Sequence, residues 1–289
     1  MSLALVTAVA VLGGLTFALA SLLVLANRTL WVAEDPRLDA VEAMLPHANC
    51  GACGQPGCRA FAAALVAGDA APAACTVGDD AGRARIAAYL GIAVGAVEKR
   101  VARLACAGGS NVARRHARYS GPSSCRAAAL VAGGGLGCFW GCLGLGDCAA
   151  ACDFDALRMD AHDLPVVDEA RCTACGDCVA VCPKDLFSIQ PASRRLWVAC
   201  RSREAGDALL ADCQVACTAC GRCAADAPGL IAMRDNLPVI DYAGAHATRA
   251  PIARCPTGAI VWLDPLAGLQ RGAAAAPIIR QGPRPPAPT

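Results

Sequence analysis

Twenty of the 289 residues are cysteine, and their spacing decides what chemistry they can do. Cysteines can pair as disulfides, hold zinc or hold iron–sulfur clusters. The run Cys172-x2-Cys175-x2-Cys178-x3-Cys182-Pro183 selects the last of these. Three closely spaced thiolates wrap one [4Fe–4S] cube through a turning loop whose amides can point at the sulfurs. The fourth cysteine, just before proline, reaches a different cube in two-cluster arrangements. Zinc needs four ligands in two pairs, and a third cysteine at this spacing does not suit it. The implied chemistry is one-electron transfer. Nothing points to other chemistry. His47, His116, His162 and His246 show no metal or catalytic spacing and read as surface or structural residues. No nucleophile–histidine–acid set is legible, and no Gly-x-Gly-x-x-Gly follows a strand.

A partner motif precedes this run. Cys138-x3-Cys142-x5-Cys148-x3-Cys152 has the same order with longer gaps, and Gly141, Gly144 and Gly146 let its backbone curl. Asp-Phe-Asp-Ala-Leu after Cys152 parallels Pro-Lys-Asp-Leu-Phe after Cys182. The swap of two-cluster ferredoxins then assigns Cys138, Cys142, Cys148 and Cys182 to one cluster and Cys152, Cys172, Cys175 and Cys178 to another. A third group begins with Cys217-x2-Cys220-x2-Cys223, where the rule wants cysteine at Ala227. Cys255-Pro256 ends a motif whose first three cysteines should stand at Ala245, Thr248 and Pro251. Under the same swap, Cys217, Cys220, Cys223 and Cys255 form one complete set. Ala227, Ala245, Thr248 and Pro251 are the complete loss of the other. Random decay would not respect that partition, so the module reads as one that has lost one whole cluster and kept its partner, with a zinc site or idle thiols as the alternative.

The group Cys50-x2-Cys53-x4-Cys58-x16-Cys75 could hold zinc or a [4Fe–4S] cluster by spacing alone. Cys106, Cys125, Cys200 and Cys213 lack tight spacing. They read as buried thiols acting as small hydrophobes, with a further cluster as the alternative.

The elements that must position these groups follow from pattern. Leu3 to Ala26 carries no charge and is about 36 Å long as a helix, enough to cross a hydrocarbon core of about 30 Å. Arg28 and Trp31 follow as interface anchors. Ala18-Leu19-Ala20 resembles a signal-peptidase site, but the apolar run is too long and has no basic residue before it. A short helix is expected between Asp35, as N-cap with Pro36 in the first turn, and Pro46. Arg59–Ala67 and Arg83–Leu90 read as helices, and Val97–Leu104 as helix or strand. Net charge is only +2, which gives no electrostatic case for nucleic acid. Arg114-Arg115-His116-Ala117-Arg118 reads as a solvated basic face.

The fold class expected is α+β, with these boundaries: anchor 1–27, small cluster domain 28–90, connecting segment 91–132, two-cluster ferredoxin-like module 133–192, module with one retained cluster 193–266, and disordered Ala/Pro-rich tail 267–289. Disulfides are disfavoured in a reducing cytosol, where the positive-inside rule puts the large C-terminal part.

The ordered motifs resemble the B subunits of the Rnf complex, called Rsx in some bacteria, a membrane-bound ion-translocating ferredoxin:NAD oxidoreductase. The matching stretches are Glu-Asp-Pro-Arg at 34–37, Leu-Pro-His-Ala-Asn-Cys-Gly-Ala-Cys-Gly-Gln-Pro-Gly-Cys at 45–58, Ser-Cys-Arg-Ala-Ala at 124–128 and Gly-Cys-Leu-Gly-Leu-Gly-Asp-Cys at 141–148. The resemblance covers nearly the whole chain, in the longer form with a second ferredoxin module. His47 stands where that family usually has glycine, and the cysteines missing at 227, 245, 248 and 251 set aside any cluster count taken from longer relatives. The resemblance implies that Cys50, Cys53, Cys58 and Cys75 hold a [4Fe–4S] cluster, giving four clusters in all. It also implies a single-pass subunit of the bacterial inner membrane, facing the cytoplasm. Such a subunit passes single electrons from soluble ferredoxin to flavin-bearing membrane partners and has no catalytic site of its own. Two other readings are an electron-donating regulator of a redox-sensing transcription factor, as for Rsx, and a zinc-stapled membrane scaffold.

Overall fold

A computed structural model describes residues 3–30 and 35–279; Trp31 and Glu34 lie outside the described residues, as does the tail from residue 280. The uncharged N-terminal run forms helix α1, Leu3–Thr29. Among the described residues it is the one helix long and apolar enough to cross a membrane, and its side chains from Val6 onward are almost all exposed. Exposed apolar side chains along a helix of this length are what a lipid bilayer can cover.

The next unit is a small helical domain. Helix α2, Pro36–Ala43, starts as its sequence dictates. The Asp35 carboxylate accepts from the Arg37 amide at 2.8 Å, and Pro36 fills the first turn. Helix α3, Cys58–Ala67, lies against α2, and α4, Asp80–Leu90, follows, its N-cap Asp79 accepting from the Gly82 amide at 2.7 Å. Val41, Leu45, Phe61, Leu65 and Ile86 form the apolar core between them, with Cys75 among them.

Two modules of one design follow. In the first, β1, Arg100–Leu104, is the strand of the connecting segment. It precedes α5, Cys125–Leu130, α6, Asp147–Ala150, the hairpin of β2, Leu157–Met159, and β3, Pro165–Val167, then α7, Asp177–Val181, and β4, Phe187–Pro191. Strand β1 pairs antiparallel with β4, Arg100 opposite Pro191 and Leu104 opposite Phe187, so the segment expected to be a connector supplies an outer strand of this module. In the second, β5, Leu196–Val198, is followed by α8, Arg222–Asp226, the hairpin of β6, Ile231–Arg234, and β7, Leu237–Ile240, then α9, Ala250–Ala253, and β8, Ile260–Asp264. Strand β5 pairs with β8, Leu196 opposite Trp262. Each module is thus an outer antiparallel pair, an inner hairpin and two short helices packed on each other.

One boundary differs from expectation. Residues 267–279 are not wholly tail, because β9, Gly268–Gln270, adds to β8. The Asp264 carboxylate turns the chain back, accepting from the Leu266 and Ala267 amides at 3.0 Å each.

The modules join through their outer strands. Trp197 of β5 donates its indole N–H to the Leu104 carbonyl at 2.8 Å, and Trp197, Ala199 and Val261 pack against Ala105 and Ala107. Glu169 bridges the same junction, pairing with Arg103 of β1 and with Arg195, which precedes β5, at 2.5 and 3.0 Å.

Candidate metal centres

The two intact cysteine loops share one backbone. Cys172-Thr-Ala-Cys175-Gly-Asp-Cys178 and Cys217-Thr-Ala-Cys220-Gly-Arg-Cys223 place Ala174 and Ala219 at φ +62° and +58°, and Gly176 and Gly221 at φ +98° and +71°. Those left-handed residues curl the chain so that the cysteines face one side, and the third starts a short helix, α7 or α8. Thr173 and Thr218 are buried beneath the loops.

The cysteines line separate cavities. Cys152, Cys172, Cys175 and Cys178, the four that spacing and the swap rule group, line one. Cys50, Cys53, Cys58 and Cys75 line another. There Asn49, at φ +47°, accepts from the Cys58 amide at 2.8 Å, capping α3 and closing the loop. Cys142, Cys148 and Cys182 line a third, and the fourth cysteine on its wall is Cys125 rather than Cys138. Cys125 arrives there because Asp147, beside Cys148, accepts from the Ser124 hydroxyl at 2.9 Å and the Arg126 amide at 3.2 Å. Cys138 lines a different cavity with Cys106, Cys200 and Cys213. Cys217, Cys223 and Cys255 are buried in one apolar core, and Cys220 stands exposed at its loop.

Pockets walled by four thiols that do not close on a single point fit a cluster better than an ion. Tetrahedral zinc with bonds of about 2.3 Å draws its thiolates to roughly 3.8 Å from one another. Among the described residues no three Cys, His, Asp or Glu converge as a single ion requires. Amides do point at sulfur: Gly78 toward Cys75 and Ala102 toward Cys172 at 3.4 Å each, and Leu186 toward Cys182 at 3.5 Å. Such bonds stabilise the electron-rich sulfurs of a reduced cluster. Burial pushes the thiols up, Cys148 and Cys223 to about 11 and Cys178 and Cys217 to about 12, with neighbouring thiols adding to the effect. A metal would have to displace those protons.

The positions where an intact second motif would carry four more cysteines hold other residues. Pro251 is fully buried in α9, and Ala227 and the Tyr242 ring pack against the core around Cys255. The basic run is partly tied down: His116 lies 2.7 Å from Asp212, and Arg115 donates to the Leu143 carbonyl at 2.7 Å.

Comparison with known proteins agrees with the geometry. Residues 45–77 match a family described as a putative Fe–S cluster, and residues 138–186 match a 4Fe–4S dicluster domain. The chain is 39% identical over 260 residues to the B subunit of the Na(+)-translocating ferredoxin:NAD(+) oxidoreductase complex of Acetobacterium woodii, covering 89% of this chain and 78% of that one. It is 38% identical over 261 residues to the B subunit of the ion-translocating oxidoreductase complex of Methanosarcina acetivorans, covering 90% and 99%. The B subunit of the proton-translocating ferredoxin:NAD(+) oxidoreductase complex of Clostridium ljungdahlii is 37% identical over 251 residues, covering 86% and 88%. With relatives matched over most of both chains, and with thiol-walled cavities in the matched regions, this chain belongs to the B-subunit family of ion-translocating oxidoreductase complexes, as an iron–sulfur electron-transfer subunit.

Proposed function

We propose that the chain is the membrane-anchored electron relay of an ion-translocating ferredoxin:NAD oxidoreductase complex, working between soluble ferredoxin and membrane flavin subunits. The observation that carries this reading is the series of four-cysteine sets, strung from the helical domain beside the anchor to the second module. The relay has Cys50, Cys53, Cys58 and Cys75 at its anchor end. Next comes the set of Cys152, Cys172, Cys175 and Cys178, joined to it where the Thr76 hydroxyl donates to the Thr173 carbonyl at 2.7 Å. Cys142, Cys148 and Cys182 follow, with Cys125 from the cavity wall as fourth ligand in place of Cys138. Cys217, Cys220, Cys223 and Cys255 form the set of the second module.

When bound, each cluster supplies one-electron transfer without moving a proton or breaking a bond. The residues do the rest. Thiolates hold iron, burial and amide–sulfur bonds set the potential, and α1 keeps the relay at the bilayer of the bacterial inner membrane, with the soluble part in the cytoplasm.

The test is to purify the full chain anaerobically in detergent, assay iron, acid-labile sulfide and zinc, and mix it with reduced ferredoxin. Iron and sulfide in equal amounts, EPR signals that grow as ferredoxin is oxidised, and co-purification with flavin-bearing membrane subunits are expected. Zinc with little sulfide would overturn the reading.

A further inference from the structure

Four cysteines that none of the relay's sets uses meet at the module junction. Cys106, Cys138, Cys200 and Cys213 line one pocket, with Gly108 and Gly141 among the other walls. Like the three pockets already described, it is walled by four cysteines.

The placement is symmetric. Strand β1 ends at Leu104 and is followed by Ala105-Cys106. Strand β5, its counterpart, ends at Val198 and is followed by Ala199-Cys200. The amides of Ala105 and Ala199 each extend the pairing of their own module, donating to Leu186 and Ala259 at 2.8 Å. Equivalent strand ends therefore deliver one cysteine each. Cys213 comes from the loop after β5, docked on the loop after β1: the Arg114 amide donates to Asp212 at 2.7 Å and the Gln214 amide to Val112 at 3.1 Å. Cys138 completes the wall in place of the role its spacing suggests.

Amides face these sulfurs as they do in the other sets. Gly108 donates to Cys106 at 3.4 Å, Ser202 to Cys200 at 3.5 Å, and Cys217 to Cys200 at 3.3 Å. A Cβ on Gly108 would stand 3.2 Å from the Cys213 sulfur, so the chain leaves that approach open.

We propose that Cys106, Cys138, Cys200 and Cys213 bind a fifth [4Fe–4S] cluster, shared by both modules at their junction. This inference rests on the iron–sulfur reading above. The site borders the sets on either side. Cys217 of the second module donates its amide to Cys200, and the Cys142 amide bonds to the Cys106 sulfur. It thus bridges the second module to the Cys125, Cys142, Cys148 and Cys182 set. A cluster there would take one electron from a reduced neighbouring cluster and give one to an oxidised neighbour, with no other bond or proton change.

Iron and acid-labile sulfide per full-length chain, purified anaerobically in detergent, separate the outcomes. About twenty of each is expected from five clusters; about sixteen overturns this site and leaves the relay reading standing. Zinc with little sulfide overturns both. Paired variants test the ligand set. Cys106→Ala with Cys213→Ala should remove about four irons, and adding Cys138→Ala should remove no more. Cys138→Ala with Cys148→Ala should remove about eight, because two clusters lose a ligand; a loss of about four there overturns the assignment. The wild-type count decides the matter even if a variant fails to fold.

Discussion

Replacing Glu169 by alanine should loosen the junction between the modules more than any surface substitution. Arg103 has a side chain only 6% exposed, and its nearest anion is Glu169 at 2.5 Å. It also donates to the Ala192 carbonyl, at 3.3 Å. Glu169 accepts in addition from Arg195, itself 23% exposed, at 3.0 Å. Removing the carboxylate strands a buried guanidinium beside a second one. Breaking a buried pair in this way costs about 3–5 kcal/mol, whereas the half-wet Arg195 contact adds about 0–1 kcal/mol. For a soluble part of this size, about 1 kcal/mol moves the thermal midpoint by roughly 2–4 °C, so the expected fall is roughly 6–24 °C. Anaerobic heating at one fixed scan rate, followed by circular dichroism and cluster absorbance, measures it, since unfolding of a cluster protein is irreversible. The double variant Arg103→Met, Glu169→Leu should recover most of the loss, because an apolar pair leaves no buried unpaired charge, and Arg195, which loses its partner, is 23% exposed and reaches water. A fall below about 2 °C for Glu169→Ala, or no recovery in the double variant, would refute the argument.

Three further outcomes are expected. Cys178→Ser should remove about four irons and one EPR signal while leaving that of Cys217, Cys220, Cys223 and Cys255; retention of every signal would remove Cys178 from the ligand set. Asn49→Ala removes the acceptor that caps α3 at Cys58 and should cost about 1 kcal/mol, read as a lower thermal midpoint, with iron lost first from the Cys50–Cys75 set; an unchanged midpoint and metal content would show that the cap contributes nothing. Loading should tighten as pH rises from 7 to 9. The thiols of Cys148 and Cys106 are pushed up to about 11 and those of Cys178 and Cys213 to about 12 by burial, so cluster binding must expel protons. In the metal-free fold the same shifts work oppositely. The protonated thiols favour the folded state below about pH 9, and that contribution disappears as pH climbs toward 11–12. Chelator competition at pH 7 and 9 measures the loading; pH-independent competition would contradict it.

Local order was legible without the fold. Asp35 and Pro36 start a helix because a carboxylate can satisfy free amides and proline tolerates the first turn, and the structure has α2 there. The uncharged run of α1 and the helices at α3 and α4 were equally plain. Spacing also grouped Cys172, Cys175 and Cys178, because three ligands within seven residues are held by one loop whatever surrounds them.

The ambiguous Val97–Leu104 segment became β1 only because β4 lay beside it, and that pairing turned a connector into part of a module. The spacing rule gave Cys138 to the nearest motif, because sequence distance is all a spacing can measure. Asp147 instead pulls the start of α5, with Cys125, onto that cavity wall. One trace of the junction was present in the sequence, the Leu-Ala-Cys and Val-Ala-Cys at 104–106 and 198–200. It carried no meaning until β1 and β5 were seen to be equivalent strands. The sequence by itself therefore determined the long apolar helix, the cysteine loops and, for the Cys172–Cys182 run, the kind of metal it suits. Which distant cysteines share a wall was decided by tertiary structure, since antiparallel register and the packing of Trp197 against the end of β1 bring together residues that no local conformation can.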